Sequence, residues 1–157
     1  MANIEVRGRY CISVPGLLKW LAIIFSIVVV GLICWEAVKD QQAPDIKKYH
    51  DGEKYTIVVG FFTIAVELLL LITYFFNCHN SVCSGCRCRA LATWIYLLCL
   101  CLWIAAAGVQ TWITTELKKG WFTDEDFVNR RAASAAFCFA NVLVFFASLH
   151  QARYVDL

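Results

Sequence analysis

Residues 90–115 read ALATWIYLLCLCLWIAAAGVQTWITT, and none of these side chains is Asp, Glu, Lys, Arg or His. As a helix this stretch would run roughly 39 Å at about 1.5 Å per residue, enough to cross a hydrocarbon core about 30 Å thick. An uncharged apolar run of this length is the mark of a transmembrane helix. Moving outward, three more apolar runs appear, one after residue 131 and two before residue 77. The sequence therefore predicts spans over approximately 17–37, 55–76, 90–115 and 132–150, all within one membrane domain covering residues 1–157. The first run is broken only by Lys19 and Ser26, the second contains Glu67, and the fourth has Asn141 in its middle. The polar connections are short, so successive helices should be antiparallel neighbours. The expected fold is all-α, an integral membrane up-down four-helix transmembrane bundle.

Composition supports this assignment. Of 157 residues, 61% are hydrophobic and 17% charged, against about 45–50% and about 25% in an ordinary soluble domain. The first run is too long for a signal-peptide core and is expected to stay in place as the first span. No Asn-x-Ser/Thr sequon occurs, so N-glycosylation is not expected. A net charge of +2 without a basic stripe argues against nucleic acid as a partner. His50, His79 and His150 fall in separate segments, and no Ser/His/Asp or phosphate-cradling pattern is visible. No enzymatic activity and no cofactor are expected. Trp20, Trp35, Trp94 and Trp112 lie near run ends, where aromatic belts form. Lys19, one turn into the first run, is placed to snorkel to the headgroups.

Glu67 is the costliest residue to bury, since a charge at mid-bilayer costs roughly 2.5–3.5 kcal/mol on insertion scales. Thr56, Gly60, Thr63, Glu67 and Tyr74 recur at helical spacing, giving the second span a small and polar stripe. Ser26 and Asn141 lie at similar depth in their own spans, so an intramembrane cluster of Glu67, Asn141 and Ser26 is expected. Two readings remain open. Glu67 is either a protonated carboxyl that donates a hydrogen bond between helices, or the ionisable site of a small transporter or channel subunit. Ala132, Ala136 and Ala140 form a small-residue ridge on the fourth span, and Gly108 belongs to a small patch on the third. Both suit close helix packing, within the chain or in a homo-oligomer.

Four of the nine cysteines, Cys34, Cys99, Cys101 and Cys138, lie inside apolar runs as small apolar groups. Cys11, Cys78, Cys83, Cys86 and Cys88 lie outside the runs, and an even number of crossings places all five on one side of the membrane. Cysteines beside Arg87 and Arg89 are natural S-acylation (palmitoylation) sites. The alternatives are free thiols or a metal site around Cys83-x-x-Cys86, although the irregular spacing and the lack of a second ligand pair weaken the latter. With cytoplasmic termini, the purely basic, cysteine-rich loop around residues 77–89 is also cytoplasmic. That is the arrangement expected, although counting Lys and Arg alone leans slightly the other way. Tyr154-Val155-Asp156-Leu157 fits a Tyr-x-x-Φ sorting signal and a Φ-x-Φ ligand for a PDZ groove. Either a cytosolic adaptor or PDZ protein binds there through Tyr154, Val155 and Leu157, or the tail is plain.

Three features together resemble the MARVEL-domain family, which includes the MAL, chemokine-like-factor and synaptophysin relatives. They are four spans in a chain of this size, the entry Gly16-Leu17-Leu18-Lys19, and the segment 129–146, NRRAASAAFCFANVLVFF. In that segment a basic entry leads into small residues, then Phe, then aliphatic and aromatic positions. The resemblance implies cytoplasmic termini and a non-enzymatic role in membrane apposition, cell junctions or vesicle trafficking. Location at plasma-membrane junctions or on secretory and endosomal vesicles would follow. Partners would be the bilayer, further copies of the chain, or other membrane proteins. The outer loops lack the cysteine pairs that some members carry.

Overall fold

A computed structural model of the chain describes residues 13–39, 50–75, 86–119 and 125–154, nearly all of them helical. The helices are α1 (Val14–Lys39), α2 (His50–Phe75), α3 (Cys86–Lys119) and α4 (Glu125–Tyr154). Local chemistry sets several of the ends. Ser13 stands at the cap position of α1, and its carbonyl accepts the first helical bond, from Leu17 N at 2.9 Å. Pro15 follows in the first turn, where its missing N–H costs nothing. Asp51 and Glu53 occupy the first turn of α2, and Asp126 that of α4, where carboxylates complement the positive end of the helix dipole. Lys118, in the last turn of α3, brings the opposite charge to its C-terminal end.

All four helices contain segments long and apolar enough to cross a membrane: Val14–Trp35, Asp51–Thr73, Ala90–Lys118 and Val128–Ala152. With 26, 26, 34 and 30 residues, they exceed the roughly 20 residues that one crossing needs. Helical structure thus runs past the apolar runs, and flanks that read as loop are helix. Glu53 and Arg131 belong to those flanks, and this brings both into the bundle.

The helices close into a ring. Contact is most extensive between α3 and α4, then α1 with α4 and α1 with α2, and thinnest between α2 and α3. Val29, Ile33, Cys99, Trp103, Ala106, Ala107, Cys138 and Phe145 fill the interior. Phe25 and Phe137 pack tilted across α1 and α4, with ring centroids 5.6 Å apart. Large apolar side chains also cover the outside, among them Leu69, Trp94 and Leu143, as a lipid-facing surface requires. Lipid is as apolar as these side chains, so close packing and hydrogen bonds must hold the helices together. Gly60 permits one close approach: a Cβ there would lie 2.5 Å from Val30 Cγ2 of α1.

Candidate functional site

One face of α2 organises the interior. Glu53, Thr56, Gly60, Thr63 and Glu67 recur every three or four residues, share that face and are all buried. Each polar member meets a partner on another helix. Beginning at the end nearest the 40–49 and 120–124 connections, Glu53 Oε1 lies 2.5 Å from Arg131 Nη2 of α4. One turn deeper, Gln110 Nε2 of α3 donates to Thr56 Oγ1 at 3.0 Å. Next, Trp103 Nε1 of α3 donates to Thr63 Oγ1 at 2.9 Å. Finally, Lys19 Nζ of α1 donates to Glu67 Oε2 at 3.4 Å. The five positions run roughly 21 Å along α2 at about 1.5 Å per residue. The result is a polar column with an ion pair at each end.

Lys19 does not snorkel. It is buried, paired with Glu67, donates to the Tyr96 hydroxyl and stands 4.8 Å from the Tyr96 ring centroid. Tyr96 is steadied in turn by Phe145, with ring centroids 6.4 Å apart. The ammonium stays inside because Glu67 and the Tyr96 hydroxyl meet it at the same level, so that it keeps counter-charge and hydrogen bonds without leaving the bundle. Glu67 Oε2 thus accepts a hydrogen bond from Lys19, a partner that the sequence reading did not give it. The cluster of Glu67, Asn141 and Ser26 separates into two. Asn141 Nδ2 approaches Ser26 Oγ at 3.4 Å, and Ser26 Oγ donates to Ala22 O at 2.7 Å. Glu67 turns instead to Lys19, seven residues and about 10 Å from Ser26 along α1.

The small-residue ridge, suited to packing within the chain or in a homo-oligomer, leans outward. Ala136 is exposed, while Ala132 and Ala140 are half-buried. Gly108 is exposed too, and a Cβ there would meet nothing within 4 Å. The buried face of α4 carries Arg131, Ser134, Ala135, Cys138, Asn141 and Phe145 instead. Polar residues claim the interior because lipid offers them no partner, whereas an alanine meets lipid at no cost.

Cys11, Cys78, Cys83, Val155 and Leu157 lie outside the described residues, while Cys86 and Cys88 fall in the first turn of α3 and Tyr154 ends α4. Cys34, Cys99, Cys101 and Cys138 are free thiols, and Cys99 and Cys138 are core residues. No cluster of metal-ligating side chains occurs among the described residues.

Glu53, Arg131, Gln110 and Trp103 are the members of the column that sequence reasoning passed over. A signal for Glu53 was available, since it lies three residues before Thr56 and so extends the α2 stripe in register. Arg131 bears the same relation to Ser134, Cys138 and Asn141.

Comparison with curated proteins finds no match, and comparison with solved structures finds none either. A model of the MARVEL family, a membrane-associating domain, matches residues 10–150. That interval takes in all four helices nearly end to end and the whole polar column; the chain belongs to the MARVEL family of membrane-associating, four-span proteins.

Proposed function

We propose that the protein is a non-enzymatic organiser of membranes, acting in membrane apposition, at cell junctions or in vesicle trafficking. The observation that carries this reading is how the bundle disposes of its charges. Lys19, Glu67, Glu53 and Arg131 are satisfied in pairs between helices, while the outer surface is apolar. A body built this way is a stable lipid-facing scaffold that leaves recognition to its connections and tail. On this reading the termini are cytoplasmic, and Cys78, Cys83, Cys86 and Cys88, with Cys11, carry acyl chains on that side. Arg87 and Arg89, in the first turn of α3, hold that end of the helix against the anionic leaflet. Tyr154, Val155 and Leu157 engage a cytosolic adaptor or PDZ protein.

Microscopy of the tagged full chain tests the role directly. Enrichment at cell contacts or on internal vesicles is expected, and an even distribution over all membranes would reject it. Hydroxylamine-sensitive mass tagging counts the acylated thiols, and replacing Cys78, Cys83, Cys86 and Cys88 with Ser should remove most of the signal. The buried polar column favours one competitor, a small transporter or channel subunit working through Glu67. Flux in proteoliposomes that disappears in Glu67→Gln, with delivery to the membrane unchanged, would establish that competitor instead.

A further inference from the structure

The oxygens Gln110 Oε1, Ser134 Oγ and Asn141 Oδ1 are buried and have no hydrogen-bond partner among the described residues. Native interiors rarely leave such atoms unpaired, and within a bilayer the cost is highest because lipid supplies no substitute. Two of them share a level. Gln110 is bonded to Thr56, three residues inward from Glu53 on α2, and Ser134 is three residues inward from Arg131 on α4. Both oxygens therefore belong to the layer about 4.5 Å beneath the Glu53–Arg131 pair. Asn141 lies two turns deeper on α4, apart from this layer.

The amide orientation of Gln110 follows from its neighbour. The Thr56 hydroxyl gives its one proton to Gly52 O at 3.0 Å, so it can only accept from Gln110. Nε2 must face Thr56, and Oε1 is turned to the interior. Whatever completes this layer must donate, because an amide oxygen only accepts. It must be small, because Gln110 and Ser134 are fully enclosed. It must also be neutral, because the guanidinium directly above repels a cation and an anion cannot donate. Water meets all three conditions. We propose that bound water occupies the layer beneath the Glu53–Arg131 pair, donating to Gln110 Oε1 and Ser134 Oγ. It joins α3 and α4 to the polar column of α2, adding to the thinnest of the contacts between neighbouring helices, that of α2 with α3. Such bridging waters are structural elements and are costly to remove.

Solid-state NMR on the full chain in lipid bilayers tests this by following magnetisation transferred from water. Ile113 is the internal reference: it is fully buried, apolar and nearly one turn closer to the helix ends than Gln110. Build-up at the Gln110 side-chain amide and the Ser134 backbone amide is expected to be several-fold faster than at Ile113. The double variant Gln110→Leu with Ser134→Ala should bring transfer at Thr56 down to the Ile113 rate. Ser134→Ala alone is a mild change that should fold, and it should lower Tm in detergent because it removes a ligand of the water. Build-up at Gln110 and Ser134 no faster than at Ile113 would overturn the proposal. So would a rise in Tm for Ser134→Ala, the signature of relieving a dry, unpaired hydroxyl.

Discussion

On α2, Glu53, Thr56, Gly60, Thr63 and Glu67 share one face and are buried. On α4, Ala132, Ala136 and Ala140 also share a face, yet that face leans outward, with Ala136 exposed to lipid. Both stripes follow helical spacing, so periodicity alone cannot say which is the inside. In water the apolar stripe would be buried. Here the solvent is apolar, and the polar stripe is the one with something to lose by facing it. Small residues allow close approach without compelling it.

The most severe way to break this contrast is Glu67→Lys. It sets a second ammonium against buried Lys19 with no carboxylate between them, and both charges are enclosed in a bundle inside a bilayer. Folded protein should be lost, with retention in the endoplasmic reticulum read by microscopy and glycan-independent protease sensitivity. Glu67→Gln keeps a hydrogen-bond acceptor for Lys19 but not its counter-charge, so Tm in detergent should fall, with far less retention than in Glu67→Lys.

Next in size is Arg131→Met, which removes the Arg131 guanidinium from buried Glu53. Breaking one side of a buried pair costs about 3–5 kcal/mol, so Tm in detergent should fall steeply. Adding Glu53→Leu should recover most of the loss, since an apolar pair of similar volume is often no worse than the ion pair. Failure of the double variant to recover would mean that the pair holds more than its own two charges.

Two glycines sharpen the comparison further. Gly60→Ala forces a Cβ to within 2.5 Å of Val30 Cγ2, and overpacking of this kind costs about 1–3 kcal/mol. Gly108→Ala enters open space and should be neutral or stabilising by up to about 1 kcal/mol, the helix-propensity difference. Equal losses at both sites would mean that the outward patch containing Gly108 is covered by another helix in the assembled protein.

The smallest effect is expected from Thr63→Val, which removes the acceptor for Trp103 Nε1. Hydrogen bonds between helices in a bilayer average about 0.6 kcal/mol and reach about 1.7 kcal/mol. A modest fall in Tm should appear, with tryptophan fluorescence shifted as the indole N–H loses its partner.

The spans were legible because uncharged runs longer than about 20 residues have few other uses. The α2 stripe from Thr56 to Glu67 was legible because its spacing is helical and its members are polar where polarity is expensive. Lys19 was not. One turn into a span, a lysine can bend back to the headgroups or stay within, and only the arrival of Glu67 and Tyr96 at the same level decides between them. That meeting depends on helix rotation and on offsets set by the connections, neither of which is written locally. Glu53 and Arg131 were missed for a different reason: helix was expected to stop where apolarity stops. α2 starts at His50 and α4 at Glu125, so the last polar turns still have an inside and an outside.

The ion pairs at the two ends of α2 also differ in when they can form. Glu67 emerges from the ribosome after Lys19 has already been made, so its partner is waiting in the first inserted helix. Glu53 must wait for Arg131 in the last helix. At about 5–20 residues per second of synthesis, that delay is on the order of 4–16 s. Through that interval the Glu53 carboxylate, in the first turn of α2, sits near the membrane surface without Arg131. The nascent chain thus secures α1 to α2 early and locks the opposite end of the bundle only when its final helix arrives.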